Sequence, residues 1–205
     1  MLLCDIGNTS LHFYDGQNSY KKDVEKFDIF TCKEKVYYIN VNPNLHVDLQ
    51  KASNWVDLKA YVDYTHYYET MGIDRIMACE AVNDAIVIDA GSAITVDIIN
   101  SGFYEGGFIY PGVDAMAESY RNISSRLDYT FNFELNLDKM PKNSQDSISY
   151  GFLRLLYGEV MRHNKPIILT GGSALELKKI FKDAKVDEML IFKGMKIISS
   201  RIDIC

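Results

Sequence analysis

Short apolar runs alternate with turn-forming residues from the start of the chain. Residues 2–6, L-L-C-D-I, are apolar but for one aspartate, and residues 10–14, S-L-H-F-Y, alternate polar with apolar; both read as strands. Residues 36–41 predict a third strand, and residues 45–52 a helix after Pro43. A second helix is expected from 73 to about 83, where Ile76, Met77, Cys79 and Val82 recur at helical spacing. Residues 85–89, 94–100 and 103–109 then read as an antiparallel meander, turned at Ser101-Gly102 and closed by Tyr110-Pro111-Gly112. Helices are expected over 113–126 and 147–164, the second ended by Pro166. Residues 166–170 read as a short buried strand closed by Gly171-Gly172, with Ser173 capping a helix to about 182. Residues 188–192 predict one last strand, and a terminal helix follows to about 200.

Two stretches of this pattern resemble each other. L-L-C-D-I-G-N-T-S-L-H-F-Y-D-G, from Leu2, and I-V-I-D-A-G-S-A-I-T-V-D-I-I-N-S-G, from Ile86, each run as strand, Asp-x-Gly, strand and a glycine turn. The aspartates, Asp5 and Asp89, are 84 residues apart. Strands followed by helices in both halves predict an α/β duplication, residues 1–84 and 85–205, each a mixed sheet with flanking helices and a cleft between them.

Composition narrows what such a chain can do. At 205 residues, 47% apolar and 24% charged, it has the makings of a well-buried core and none of the signature of disorder. Its net charge of −6 disfavours nucleic-acid binding, which needs clustered basic charge. A nucleotide remains compatible, because backbone N–H groups and cations hold phosphates at little cost in net charge. Cys4, Cys32, Cys79 and Cys205 form no C-x-x-C pair, so reduced thiols and a cytoplasmic location are expected. No apolar run is long enough to span a membrane, and no basic and apolar leader precedes Leu2-Leu3-Cys4, so neither membrane contact nor a signal peptide is expected.

The candidate chemistry sits at strand ends. Glycine two residues after Asp5 and after Asp89 lets the backbone approach a ligand, while neighbouring N–H and hydroxyl groups can point at phosphate oxygens and the carboxylates at a cation. M-G-I-D-R, Met71 to Arg75, offers a proton acceptor beside a cation at a helix start. E-G-G-F-I-Y-P-G, Glu105 to Gly112, and T-G-G, Thr170 to Gly172, give close backbone approach at two further strand ends. Neither G-x-x-x-x-G-K-[ST] nor a G-x-G-x-x-G after a strand is present. His12, His46, His66 and His163 lack metal-ligand spacing.

In order, D-I-G-N-T, M-G-I-D-R, D-A-G-S-A-I-T-V-D, G-G-F-I-Y-P-G and T-G-G resemble the motif series of type III pantothenate kinases, in the actin, heat-shock ATPase and sugar-kinase superfamily. The resemblance implies duplicated ribonuclease-H-like, actin-like ATPase halves. It also implies ATP-dependent phosphorylation of pantothenate, the first step of coenzyme A synthesis, by a homodimer using magnesium–ATP and a monovalent cation, potassium or ammonium. Carried over residue by residue, Asp5, Ile6, Gly7, Asn8, Thr9, Ser10, Leu11 and His12 match the ATP phosphate loop, with Asp5 near magnesium. Gly72, Ile73, Asp74 and Arg75 match the pantothenate segment, with Asp74 as proton acceptor. Asp89 matches the monovalent-cation ligand, Ser92 a nucleotide contact, and Ser144 a substrate contact. The family's usual threonine is Ser92 here, and its tyrosine-x-asparagine-proline segment is replaced by T-H-Y-Y. Tyr64, Tyr67 and Tyr68 all remain candidates to line the substrate pocket. Rival readings are a non-catalytic regulator of the same family and a sugar kinase of the same superfamily.

Overall fold

A computed structural model describes residues 1–202, and for His46 and Val47 the backbone alone. The chain divides into two compact units, residues 1–81 with the C-terminal segment from 189, and residues 82–188. Cys205 lies outside the described residues; Cys4, Cys32 and Cys79 are free thiols.

In the first unit the expected strands form β1 (Leu2–Ile6), β2 (Ser10–Tyr14) and, after an Asx turn at Asp15, the unexpected β3 (Ser19–Asp23). Then come β4 (Val36–Asn40), α1 (His46–Lys51), β5 (Trp55–Asp57) and α2 (Ile73–Glu80). The sheet order is β3-β2-β1-β4-β5, with β1 antiparallel to β2 and parallel to β4. Side chains alternate across it as strand geometry requires. Cys4, Ile6, Leu11, Phe13, Val36 and Tyr38 fill one buried face, closed by Trp55 and Leu49.

The second unit repeats that plan. Strands β6 (Ala85–Ala90), β7 (Ala93–Asn100) and β8 (Phe103–Pro111) form the meander, turned by Ser101 and Gly102 in left-handed conformations. Helices α3 (Val113–Ile123) and α4 (Ser144–Met161) follow, then β9 (Ile167–Thr170), α5 (Ala174–Ile180) and β10 (Lys185–Val186). The order β10-β9-β6-β7-β8 is the first sheet's order with each strand replaced by its counterpart, and the pairings keep the same sense. Ile86, Ile88, Ile94, Val96 and Leu169 bury one face against Phe152, Leu153 and Leu156 of α4 and Leu177 of α5.

Two expectations fail at the C-terminus. Residues 188–192 are not a strand: Leu190 opens α6 (Leu190–Ile202), and the partner of β9 is the two-residue β10 instead. A short apolar run is ambiguous between strand and buried helix, and here Met195 and Ile198 continue the buried face at helical spacing. The second half therefore does not run to residue 205, because α6 packs with the first unit. Phe192 lies against His12 and Tyr14 of β2, Arg201 pairs with Glu80, and Gly194 meets the backbone of Met77 in α2. The helix expected to reach residue 126 stops at Ser124, whose backbone is extended and whose hydroxyl accepts from Arg126 N–H.

Candidate active site

Asp5 and Asp89 stand at corresponding places in the two sheets. Asp5 pairs with His12 on β2 and Ile39 on β4; Asp89 pairs with Thr95 on β7 and Thr170 on β9. Both carboxylates are partly exposed at strand ends, where the polypeptide turns.

After Asp5 the turn is tight, with Gly7 N–H donating to Ser10 C=O at 3.0 Å. Asn8 and Thr9 at its tip are exposed. Three further carbonyls of the turn are held by protein donors: Gly7 and Asn8 by the side-chain amide of Asn42, and Thr9 by Val24 N–H. Asn42 is a residue the sequence reading passed over. The cluster N-V-N-P-N directly after a buried strand was the available signal.

The loop after Asp89 is built by close approach. Gly91 N–H donates to Ala93 C=O, and Ser173 N–H to Ala90 C=O at 2.9 Å. Ser173 is the N-cap residue of α5, its C=O accepting Leu177 N–H, though its side chain makes no capping bond, and its own N–H ties the end of β6. Gly112 backs onto the loop so closely that a β-carbon there would collide with the carbonyls of Gly91 and Ser92. Gly171, at φ +87°, passes Ala90 and the Asp89 carboxylate in a conformation that L residues rarely adopt. The last glycine of G-G-F-I-Y-P-G and the first of T-G-G therefore serve the Asp89 loop. Ser92 is exposed on it. Thr95 Oγ1, beside Asp89 across the strand pair, is buried without a hydrogen-bond partner, and Thr170 flanks Asp89 on the other side.

Gly72 precedes α2, and Asp74 in its first turn accepts the Arg75 N–H at 2.9 Å. A helix N-terminus favours an anion there. Arg75 is 6% exposed, an uncommon place for a guanidinium, and donates to Tyr68 Oη at 2.5 Å while lying 5.8 Å from the centre of that ring. The three tyrosines left open by the sequence are thereby distinguished. Tyr67 donates to Glu80 at 3.1 Å, and burial, then the nearby Glu80 charge, push its phenol well above the usual range. Tyr64 Oη is buried and without a partner, and Tyr68 is exposed at Arg75.

Ser144 is exposed at the start of α4. Asn143 caps the helix by accepting Asp146 N–H, and the Asp146 carboxylate accepts from Asn132 and Asn143 side chains at 2.8 and 2.7 Å. These bonds, that of Asn132 foremost, hold the Asp146 carboxyl below its ordinary range. Among the described residues no group of three or more His, Cys, Asp or Glu gathers as a metal site. No described helix is long and apolar enough to cross a membrane.

Comparison with known proteins gives the chain's relatives. The family model of type III pantothenate kinase matches residues 38–166. A protein of Sulfurimonas denitrificans named type III pantothenate kinase is 57% identical over 205 residues, covering all of both chains. One of Campylobacter jejuni with the same name is 40% identical over 96% of this chain and 95% of its own. Among solved structures, a C. jejuni protein described as a conserved Baf family transcriptional activator superposes with TM-score 0.89 at 38% identity, covering all of both chains. A Sinorhizobium meliloti protein described as a 2-dehydro-3-deoxygalactonokinase gives TM-score 0.57 at 10% identity over 98% of this chain and 96% of its own, a likeness of fold alone. The duplicated sheets are thus those of the fold that the S. meliloti protein shares, and likeness along the full chain to its named relatives means that it belongs to the type III pantothenate kinase family.

Proposed function

We propose that the protein transfers the γ-phosphoryl group of ATP to the primary hydroxyl of pantothenate, opening coenzyme A synthesis. The observation that carries this reading is the Gly72–Arg75 corner. There a carboxylate at a helix N-terminus stands next to a buried guanidinium whose aromatic partner reaches solvent. Phosphoryl transfer asks little covalent chemistry of a protein; it needs alignment, charge neutralisation and a proton acceptor. Asp74 takes the hydroxyl proton as the oxygen bonds to the γ-phosphorus and the bond to the bridging oxygen breaks, releasing ADP. Arg75 binds an anionic or carbonyl oxygen of pantothenate, with Gly72, Ile73 and Ser144 as further substrate contacts. Tyr68 is the tyrosine coupled to Arg75, and the unpartnered hydroxyl of Tyr64 is a second group suited to a polar ligand.

The turn from Ile6 to His12 receives the ATP phosphates on its exposed tip, and Ser92 contacts the nucleotide from the Asp89 loop. Asp5 suits magnesium, a hard cation that takes few protein oxygens when phosphates supply the rest. Asp89 with the orphaned Thr95 hydroxyl and Thr170 is an all-oxygen set suited to potassium or ammonium. These cations would neutralise phosphate charge. A homodimer is supported by apolar side chains exposed on the edge strand, Phe103 at 59% and Ile109 at 65%. A cytoplasmic setting suits three free thiols.

The test is coupled ADP release with pantothenate, a panel of sugars, or no acceptor, in potassium and then in sodium. Pantothenate-dependent turnover that requires potassium is expected. Turnover on a sugar alone would replace the substrate. Silence with every acceptor would favour the second reading, an accessory regulator, which the description of the solved C. jejuni relative favours and the retained Asp5, Asp74 and Asp89 oppose.

A further inference from the structure

We infer that Asn42 is a positioning residue for the nucleotide: its side-chain amide orients the peptide groups of Gly7 and Asn8 so that the turn presents N–H groups, not carbonyls, to phosphate. The inference rests on the reading of residues 5–12 as the phosphate loop.

Asn42 is only 3% exposed, two residues beyond the end of β4, which pairs with β1. Its Nδ2 donates to Asn8 C=O at 3.3 Å and to Gly7 C=O at 3.5 Å, across 34 and 35 residues of chain. The side chain is itself fixed. Its Oδ1 accepts Asn44 N–H at 2.9 Å, and its own N–H donates to Asn40 Oδ1 at 2.7 Å.

A trans peptide points its C=O and its N–H in opposite directions. Holding the carbonyl of Gly7 inward therefore turns Asn8 N–H outward, and holding that of Asn8 turns Thr9 N–H outward. Thr9 C=O and Ser10 C=O are held as well, by Val24 N–H and Gly7 N–H. Four successive carbonyls are thus engaged within the first unit, while Asn8 and Thr9 lie exposed. Successive outward N–H groups form an anion-binding concavity, and a carbonyl flipped among them would repel phosphate. An amide with two hydrogens can serve both carbonyls. A carboxylate in its place has no donor and would push both carbonyls away.

The test uses Asn42→Asp and Asn42→Ser in the full-length protein, reading steady-state kinetics and, by calorimetry, binding of ADP and of adenosine. Loss of two hydrogen bonds of ordinary strength should raise the KM for ATP and the Kd for ADP in Asn42→Asp about tenfold or more. Adenosine affinity and the KM for pantothenate should stay within about twofold, a split that general damage to the fold would not produce. Asn42→Ser, whose hydroxyl is too short to reach the carbonyls but brings no negative charge against them, should fall between Asn42→Asp and the wild type. Unchanged ADP affinity in both variants, or equal losses for ADP, adenosine and pantothenate, would overturn the assignment. Thr9→Pro removes one of the outward N–H groups and separates the two readings. If it leaves ADP binding intact, the phosphate-loop reading fails; if it weakens ADP while both Asn42 variants do not, only the role of Asn42 falls.

Discussion

The carboxylate of Asp74 lies over Gly72, so that a β-carbon at residue 72 would stand 2.5 Å from Asp74 Oδ1. Gly72 has φ −59° and ψ 136°, a conformation open to any residue, so glycine is needed there for space alone. The obstructing atom is the tip of a side chain, not backbone. Gly72→Ala should therefore fold normally while displacing the carboxylate. With misplacement of about 1 Å able to cost up to about 100-fold, kcat should fall at least about tenfold at a nearly unchanged melting temperature. Kinetics beside thermal denaturation check this. Unchanged kcat would mean that Asp74 can act from another rotamer.

Asp74→Asn tests the proton acceptor itself. The amide oxygen can still accept Arg75 N–H, so the corner should keep its shape while losing its base. Turnover should drop by about 100-fold or more, the usual scale for removing a general base, with the Kd for ATP little changed. Near wild-type turnover would take Asp74 out of the chemistry.

The duplication was legible because its signal is local. Asp5 and Asp89 each follow an apolar run and precede a glycine turn, and the two sheets match strand for strand around them. What escaped had no periodicity to read. Strand β3, S-Y-K-K-D, is exposed at every position, and β5 and β10 have three and two residues; pairing alone makes them strands. Asn42 and Thr95 escaped for a different reason. The cluster N-V-N-P-N marks a turn at Asn42 but not the distant carbonyls that it holds, and nothing near Thr95 signals its missing partner.

Gly194 sits inside α6, where alanine would ordinarily gain about 1 kcal/mol of helix propensity. Here a β-carbon would run into the Met77 carbonyl of α2, and backbone cannot swing aside as a side chain does. Overpacking of this kind costs about 1–3 kcal/mol, so Gly194→Ala should be net destabilising. Urea denaturation reads the sign directly. A more stable variant would mean that α6 shifts along α2 without loss.

The Asp146 carboxylate accepts hydrogen bonds from Asn132 and Asn143, and these lower its affinity for a proton in the folded state. A depressed folded pKa contributes stability that is present above the unfolded value, about 4 for aspartate, and is lost as pH falls through the folded value. The wild type should therefore exceed Asp146→Asn in stability at pH 7, and the difference should shrink toward zero as the pH is taken well below 4. Denaturation midpoints of both proteins at the two pH values check this. Because the same bonds fix the first turn of α4, where Ser144 stands, the variant should also raise the KM for pantothenate at neutral pH more than it lowers kcat. A stability difference that is the same at both pH values would assign the effect to packing, and an unchanged KM would detach Ser144 from the substrate.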